Sequence, residues 1–317
     1  MRALCVLGLL LVACVASAAD TGFAWKPVDD KSLGLYDGGK PVLVYNHAMI
    51  SRQGVPERYN RACYIHPLYG LDGEVLTEDF AKDHRHHRGV FWAWPHIKVD
   101  GRQVNSWIPT GIYYKLERWV KKVADEQRAV LEADNGWYVG EKKIMAEHLR
   151  MVVHPATATT RAIDLEFTWT PTDKPVTLWG AAGKSYGGLT VRFNTRIREE
   201  GGIPSKAVRI TAPTGLTKKD LAITNLEWAD FTAPFPGGKG RSGAAVLIHK
   251  SHPDYPPTWL TRHYGCLCVG WPGVKPHTLP PGKPVVCCYR LLVHRGDLDL
   301  DTLKKAYDDY IHRDKAH

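Results

Sequence analysis

The sequence predicts an all-β, mainly antiparallel fold, a large β-sandwich with one C-terminal helix. From residue 41 onward, short runs rich in β-branched and aromatic residues alternate with clusters of Gly, Pro, Asp and Asn, as strands alternate with turns. The 317 residues include 29 Gly and 21 Pro, enough for many turns but too few for a low-complexity chain. A hydrophobic content of 44% is sufficient to bury a substantial core.

A series of segments has the residue types and the period-two patterns of strands. In chain order, the predicted strands cover residues 42–45, 89–97, 113–120, 129–133, 144–153, 161–169, 189–194, 206–211, 222–231, 244–249, 266–270 and 285–294. Strands of this length at such regular spacing favour antiparallel sheets stacked face to face.

The C-terminal segment has the pattern of an amphipathic helix over most of residues 300–312. Asp299 or Asp301 can cap its N-terminus. Its apolar positions recur at helical spacing, and they are Leu300, Leu303, Ala306, Tyr307, Tyr310 and Ile311. No internal repeat and no Ser/Gly-rich linker divides the chain, so we expect a single domain over residues 19–317.

The first 18 residues have the pattern of a signal peptide. Arg2 precedes an apolar run over residues 4–13, and Ala16-Ser17-Ala18 forms a small-residue cleavage site. An alternative is a lipoprotein box over residues 11–14, which would leave a lipidated Cys14. Either interpretation predicts an exported protein, periplasmic or extracellular. No later window reaches 18 apolar residues, so no transmembrane segment is predicted in the mature chain.

The charge and the cysteine content restrict the class of partner. The formal net charge is +9, but the basic residues are scattered and form no stripe with interleaved aromatic residues, which argues against nucleic-acid binding. Five cysteines remain after the leader, in spacings that match neither a disulfide framework nor a zinc ribbon. We therefore expect buried free thiols, with one bridge at most, and Cys266 and Cys268 on the same face of a strand.

The densest group of polar side chains is the run Asp83-His84-Arg85-His86-His87-Arg88, directly before an apolar strand. On an extended backbone, His84 and His86 point to one side and His87 to the other. Such histidines can bind a divalent metal, with a further ligand from His66 or His263, or they can act as a general acid or base. The alternative is that they only cross-link loops by hydrogen bonds.

A second polar segment, residues 249–264, combines prolines with His, Asp, Trp, Arg and Tyr. Aromatic faces against C–H groups, with charged groups on the hydroxyls, are suited to binding a sugar. The alternative is a proline-rich loop whose Trp259 fills the core. Glu227 ends a predicted strand, so its carboxylate could project into a cleft. The motifs of nucleophile elbows, P-loops, dinucleotide-binding folds and zinc proteases are absent from the sequence.

Residues 61–69, 83–89 with the core D-H-x-H-H-R-G, and 252–265 resemble the exported PmoA-like family of unknown function. Residues 187–192 and 225–230 fit the same pattern, so the resemblance covers most of residues 40–295. It implies a galactose-mutarotase-type β-sandwich and an association with carbohydrate breakdown. The family carries an acidic residue before the paired glycines, where this chain has Ser185-Tyr186.

The leading hypothesis is an exported carbohydrate-active enzyme that uses histidine and carboxylate acid–base chemistry and requires no cofactor. The predicted catalytic residues are His84, His86, Arg88, Glu227 and Asp254. The predicted sugar-binding residues are His66, Trp107, Arg192, Trp259, Arg262, His263 and Tyr264. One alternative is a metal-dependent hydrolase or oxygenase with ligands among His84, His86, His66 and His263. Another is a non-catalytic glycan-binding module.

Overall fold

The strands alternate along the chain with short turns, and the computed structural model describes residues 21–196 and 199–312. In chain order the strands are β1 (Phe23–Pro27), β2 (Ser32–Asp37), β3 (Lys40–Asn46), β4 (Tyr64–Leu68), β5 (Val90–Ala93), β6 (His96–Val99), β7 (Arg102–Val104), β8 (Tyr113–Ala124), β9 (Ala129–Val139), β10 (Lys142–Val153), β11 (Thr160–Pro171), β12 (Val176–Trp179), β13 (Gly188–Arg192), β14 (Arg209–Ala212), β15 (Gly215–Leu216), β16 (Ala222–Asn225), β17 (Trp228–Ala233), β18 (Ser242–Ile248), β19 (Thr258–Arg262), β20 (Cys266–Gly270), β21 (His277–Leu279) and β22 (Val285–Arg295). Helix α1 covers Leu300–Ile311.

Two nine-stranded antiparallel sheets form the sandwich. The front sheet has the order β1-β2-β3-β4-β5-β13-β20-β19-β16, and the back sheet has the order β15-β14-β17-β18-β22-β11-β10-β9-β8. A four-stranded sheet, β21-β12-β6-β7, completes the structure. The predicted fold class, all-β and antiparallel with one C-terminal helix, is therefore confirmed for the described residues.

The main core lies between the front and back sheets. Because side chains alternate along a strand, one face of each sheet faces the core. Trp92 of β5 packs against Phe167 of β11, with ring centroids 4.5 Å apart. The neighbouring Phe91 belongs to a second buried cluster on the outer face of the front sheet, together with Cys266 and Cys268. The outer face of the front sheet is thus also partly covered.

A buried carboxylate lies within the main core. Glu147 of β10 is only 1% exposed, and its Oε2 accepts hydrogen bonds from the indole Nε1 of Trp92, Trp137 and Trp169 at 2.7, 2.8 and 2.9 Å. Its Oε1 accepts a bond from Asn135 Nδ2 at 2.9 Å. Burial raises the pKa of Glu147 above its usual value, while these donors act in the opposite direction. The carboxylate thus connects strands of both sheets.

Helix α1 covers the outer face of the back sheet. Leu303, Tyr307 and Tyr310 are buried there in a cluster with Trp228 and other residues of that face. As predicted, Asp299 caps the helix, and its Oδ1 accepts a hydrogen bond from Thr302 N at 2.7 Å. The helix bounds agree with the predicted 300–312 to within one residue.

Several predicted strands differ from the observed ones. The predicted strand 89–97 is divided at Trp94-Pro95 into β5 and β6, which lie in different sheets. The predicted strand 222–231 is likewise two strands, β16 in the front sheet and β17 in the back sheet. The start of the predicted strand 206–211 is a 3₁₀ turn, Ser205–Ala207. Further strands that the pattern did not indicate include β1, β2, β4, β12 and β19.

The predictions about cysteines and membrane spans can be compared with the described residues, whereas the predicted leader cannot. Cys63, Cys266, Cys268, Cys287 and Cys288 are buried free thiols, and the Sγ atoms of Cys266 and Cys268 lie 3.3 Å apart on one strand face. Within residues 21–196 and 199–312, no helix is long and apolar enough to cross a membrane. The predicted leader, residues 1–18 with Cys14, lies outside the described residues.

Candidate functional site

A cluster of aromatic and imidazole rings lies on the outer face of the front sheet. We call it the ring cluster, and its members are His84, His86, His87, Trp107 and Tyr264. His84 stacks between His87 and Tyr264, with centroid distances of 4.6 and 5.1 Å. Trp107 lies edge-on to His87 at 5.5 Å and at a tilt to His86 at 6.2 Å. Residues from three separate segments therefore meet in one place.

The histidine segment turns sharply instead of extending. His87 N donates a hydrogen bond to His84 O at 2.9 Å, which closes a tight turn over Arg85 and His86. The prediction that His87 points away from His84 and His86 is therefore wrong. The turn brings the rings of His84 and His87 together in a stack, and the His86 and His87 rings meet edge-on at 4.7 Å.

Asp83 and Arg192 support the ring cluster from below. Arg192 of β13 is fully buried, and its Nη2 donates to Asp83 Oδ1 at 2.7 Å while its Nε donates to Glu78 Oε2 at 3.0 Å. The Arg192 guanidinium lies 5.0 Å from the centre of the Tyr264 ring. The other carboxylate oxygen of Asp83 lies 3.0 Å from His84 Nδ1. Asp83 thus connects the buried guanidinium of Arg192 to the partly exposed ring of His84.

Asp83 is ionised over the whole physiological range. Burial alone would raise the pKa of its carboxyl group, but His84 and Arg192 lower it to about 2. Burial raises the pKa of the Tyr264 hydroxyl well above its usual value, so this phenol stays protonated. The site therefore combines a fixed carboxylate with a neutral hydroxyl.

Arg88, predicted to be catalytic, anchors the turn from inside the protein. Its side chain is fully buried, forms a close ion pair with Asp79 and donates from Nη2 to the Tyr64 hydroxyl at 2.6 Å. Its guanidinium stacks 3.5 Å from the centre of the Phe80 ring. The next residue, Gly89, has a φ of +58°, and an added Cβ would lie 2.2 Å from Ile65 O. The Arg-Gly pair therefore positions the histidines.

The histidines of the cluster differ in exposure. Burial lowers the pKa of His86 to about 3 and that of His87 well below its usual value, so both rings are neutral at pH 7. The His84 side chain is 34% exposed, and His86 is also only partly buried, whereas His87 is buried. His87 Nδ1 and Arg192 Nη1 are buried without a hydrogen-bond partner in the described chain.

Three further predicted residues lie near the cluster but make other contacts. His66 of β4 lies beside Gly89, and its Nδ1 is 3.1 Å from Thr77 Oγ1. Arg262 and His263 are both directed at Asp220, at 3.6 and 2.8 Å. In the described ranges, no three His, Cys, Asp or Glu side chains are arranged to hold a metal ion. The predicted ligand set of His84, His86, His66 and His263 is thus not assembled.

Three predicted site residues lie elsewhere. Trp259 is fully buried in the main core, where its Nε1 donates to Leu226 O at 2.8 Å, because it occupies an inward position of β19. Glu227 lies in the connection between β16 of the front sheet and β17 of the back sheet. Its charge acts on Tyr255 and on Tyr307 of α1. Asp254 is exposed in the turn after His252. Neither carboxylate can therefore serve the ring cluster.

The sequence did not single out the acids that support the site. Glu78 and Asp79 pair with Arg192 and Arg88, across 114 and 9 residues of chain. Tyr186, directly before the paired glycines, packs on Trp107 at 4.5 Å. The sequence run Thr77-Glu78-Asp79-Phe80 could have indicated these acids. Two acids beside apolar residues require cationic partners if they are buried.

The depressed histidine pKa values predict a stability that falls on mild acidification. Burial lowers the pKa of His66 to about 4 and of His86 and His252 to about 3, against an unfolded value near 6.5. Below pH 6.5 the unfolded chain therefore binds more protons, and each such histidine removes up to about 1.4 kcal/mol of stability per pH unit. We expect the melting temperature to fall from pH 7 to pH 5, and less steeply in His252→Gln. An equal fall in His252→Gln and in wild type would contradict this, and Lys82→Gln is the surface control.

The solved structures that match this chain include three proteins with carbohydrate-related names. A galactose mutarotase related enzyme from Lactobacillus acidophilus is 8% identical with a TM-score of 0.38, covering 86% of this chain and 97% of its own. A putative kojibiose phosphorylase from human microbiome is 9% identical with a TM-score of 0.35, and the match covers 70% of this chain and 25% of the phosphorylase. A polysaccharide lyase is 11% identical with a TM-score of 0.34, and the match covers 91% of this chain and 35% of the lyase. All three TM-scores are below 0.5, so these likenesses assign no activity to this chain.

No curated protein matches the sequence. A family profile does match it, over residues 32–308, and this range includes both large sheets except β1, the ring cluster and most of α1. The family is described as one of unknown function, DUF6807, and none of the descriptions reported above carries the PmoA label. Because the match spans most of its length, the chain belongs to this family of unknown function, DUF6807.

Proposed function

We propose that the chain is an exported carbohydrate-active protein, an enzyme that binds a sugar at the ring cluster and acts on it by acid–base chemistry. The observation that carries this proposal is the stack His87–His84–Tyr264, which has the carboxylate of Asp83 beside its central ring. Ring faces suit the C–H patches of a sugar, and the adjacent polar atoms suit its hydroxyl groups.

His84 is the proton-transfer group in this proposal. Its ring is partly exposed, and the ionised Asp83 beside Nδ1 favours the tautomer that leaves Nε2 free to exchange a proton with the ligand. Asp83 also stabilises the imidazolium form that arises when His84 takes up a proton. This division of roles needs no carboxylate from Glu227 or Asp254.

The other members of the cluster bind and orient the ligand. The neutral His86 and the protonated Tyr264 hydroxyl can donate hydrogen bonds without adding charge. The unpartnered His87 Nδ1 and Arg192 Nη1 supply further polar contacts at the base of the cluster. A glycan-binding module would use these same contacts without His84 exchanging a proton.

The proposal is tested with a panel of purified neutral and acidic oligosaccharides, measuring both binding and product formation. We expect at least one glycan to be converted, with conversion lost in Asp83→Asn, because the amide no longer favours the required His84 tautomer. Binding without conversion would favour the non-catalytic module. The absence of binding to any glycan by the folded protein would refute the carbohydrate assignment.

A further inference from the structure

The arginines that the sequence assigned to the site already have acidic partners. Arg88 pairs with Asp79, Arg192 with Glu78 and Asp83, and Arg262 with Asp220. An arginine whose charge is already balanced by carboxylates is a poor receptor for a further anion. None of the three is therefore suited to bind an acidic group of a ligand.

Arg61 differs from these arginines. It is 5% exposed and forms no ion pair among the residues that the structure describes. Its Nη2 donates to two backbone carbonyls, Ser106 O at 2.6 Å and Trp107 O at 3.2 Å, and its Nε is buried without a partner. Burial lowers the pKa of Arg61 to about 10, although the charge of Asp79 acts in the opposite direction. A buried cation of this kind is costly unless something balances it.

A small cavity opens beside Arg61. Its lining includes Asn60, Ser106 and Tyr114, and it is bordered towards solvent by the exposed side chains of Met49 and Tyr113. Asn60 Oδ1 and the Tyr114 hydroxyl are buried there without hydrogen-bond partners in the described chain, like Arg61 Nε. Three polar groups beside one cavity therefore lack a hydrogen-bond partner in the described chain, and two of them, Arg61 Nε and the Tyr114 hydroxyl, are donors.

The cavity adjoins the ring cluster. Arg61 donates to the carbonyl of Trp107, and Trp107 contacts His86 and His87. The Arg61 guanidinium also lies 5.0 Å from the centre of the Phe91 ring, which packs on Trp107 at 5.3 Å. Trp107 thus lies between Arg61 and the histidines of the ring cluster.

We propose that Arg61, with the Tyr114 hydroxyl as a second donor, forms a subsite for the negatively charged group of an acidic sugar, a carboxylate or a sulfate ester. This inference rests on the proposed carbohydrate function and specifies its substrate class. Charge-assisted hydrogen bonds from a guanidinium to such groups are strong, and the missing counter-charge would then be supplied by the ligand.

The test is calorimetric titration of the full chain with D-glucuronate, glucose 6-sulfate and neutral D-glucose at constant ionic strength. Wild type is expected to bind at least one of the anionic sugars about tenfold more tightly than glucose, and the stronger of the two identifies carboxylate or sulfate. Arg61→Met should remove this preference. Arg209→Met, which removes the same charge from an exposed position on β14, should keep it.

Folding of the variants is checked by circular dichroism and melting temperature. If Arg61→Met does not fold, Arg61→Lys carries the test, because it keeps the charge but lacks the Nε–H and should weaken the preference several-fold. An acid preference that persists in Arg61→Met, or its absence in wild type, overturns the inference.

These outcomes separate this inference from the proposed function. Glucose binding that depends on Tyr264 but shows no acid preference would refute the Arg61 subsite alone. Acid binding that depends on Arg61 and is unchanged in a folded Tyr264→Ala variant would support the subsite and refute the role of the ring cluster. If the folded wild type binds none of the three sugars, both proposals are contradicted.

Discussion

Replacing Glu147 with alanine is expected to destabilise the fold by about 3–5 kcal/mol, enough to unfold many domains. The substitution removes the acceptor for the indole N–H groups of Trp92, Trp137 and Trp169 and leaves three buried donors unsatisfied. It also leaves a cavity between the sheets. Urea denaturation followed by tryptophan fluorescence measures the change in the free energy of unfolding.

Two variants define the cause of this effect. Glu147→Gln keeps one carbonyl oxygen but presents an amide N–H₂ where an acceptor was, so it should have a smaller but clear loss of stability. Glu132→Ala, on the neighbouring β9, removes a partly exposed carboxylate 3.5 Å from Arg150 and should cost about 1 kcal/mol or less. A loss in Glu147→Ala no larger than that in Glu132→Ala would refute a structural role for the buried carboxylate.

Replacing His84 with alanine is expected to lower turnover of the glycan substrate by roughly 100- to 10,000-fold, the usual contribution of a general acid or base. The fold should change little, because the side chain is 34% exposed and the loss is mainly that of ring stacking, about 1 kcal/mol. Single-turnover kinetics and melting temperature together separate the loss of proton transfer from a loss of structure.

The matched control is His148→Ala. His148 Nδ1 lies 2.8 Å from Asp134 Oδ1, and its side chain is 36% exposed, so it resembles the His84–Asp83 pair in geometry but lies on the back sheet. It should retain full turnover. Equal losses in the two variants, or a fully active His84→Ala protein, would show that His84 transfers no proton.

Local patterns predicted the fold class because strand alternation and helix periodicity are recorded in neighbouring residues. The capping of α1 by Asp299 and the shared face of Cys266 and Cys268 are of this kind. The division of residues 222–231 between two sheets was not visible, because the pattern of β16 and β17 is continuous and only pairing with distant strands separates them.

The site was predicted in part for the same reason. The D-H-x-H-H-R-G run identified the location of the ring cluster, but the turn at Arg85 and His86 reversed the expected facing of His87. Trp259 was expected to contact ligand, yet its side chain faces the core. The pairing of β19 with β20 determines which side chains of β19 face the core, and the local sequence does not show this pairing. That Arg61 forms no ion pair with a residue in the described ranges could only be seen in three dimensions.

The most direct test is a crystal structure of the chain with a bound glycan chosen from the panel. The expected result is a sugar ring in contact with His84 and Tyr264, with its acidic group beside Arg61. A glycan bound on the other side of the sandwich, beside Glu227 or α1, with the ring cluster unoccupied, would contradict the account.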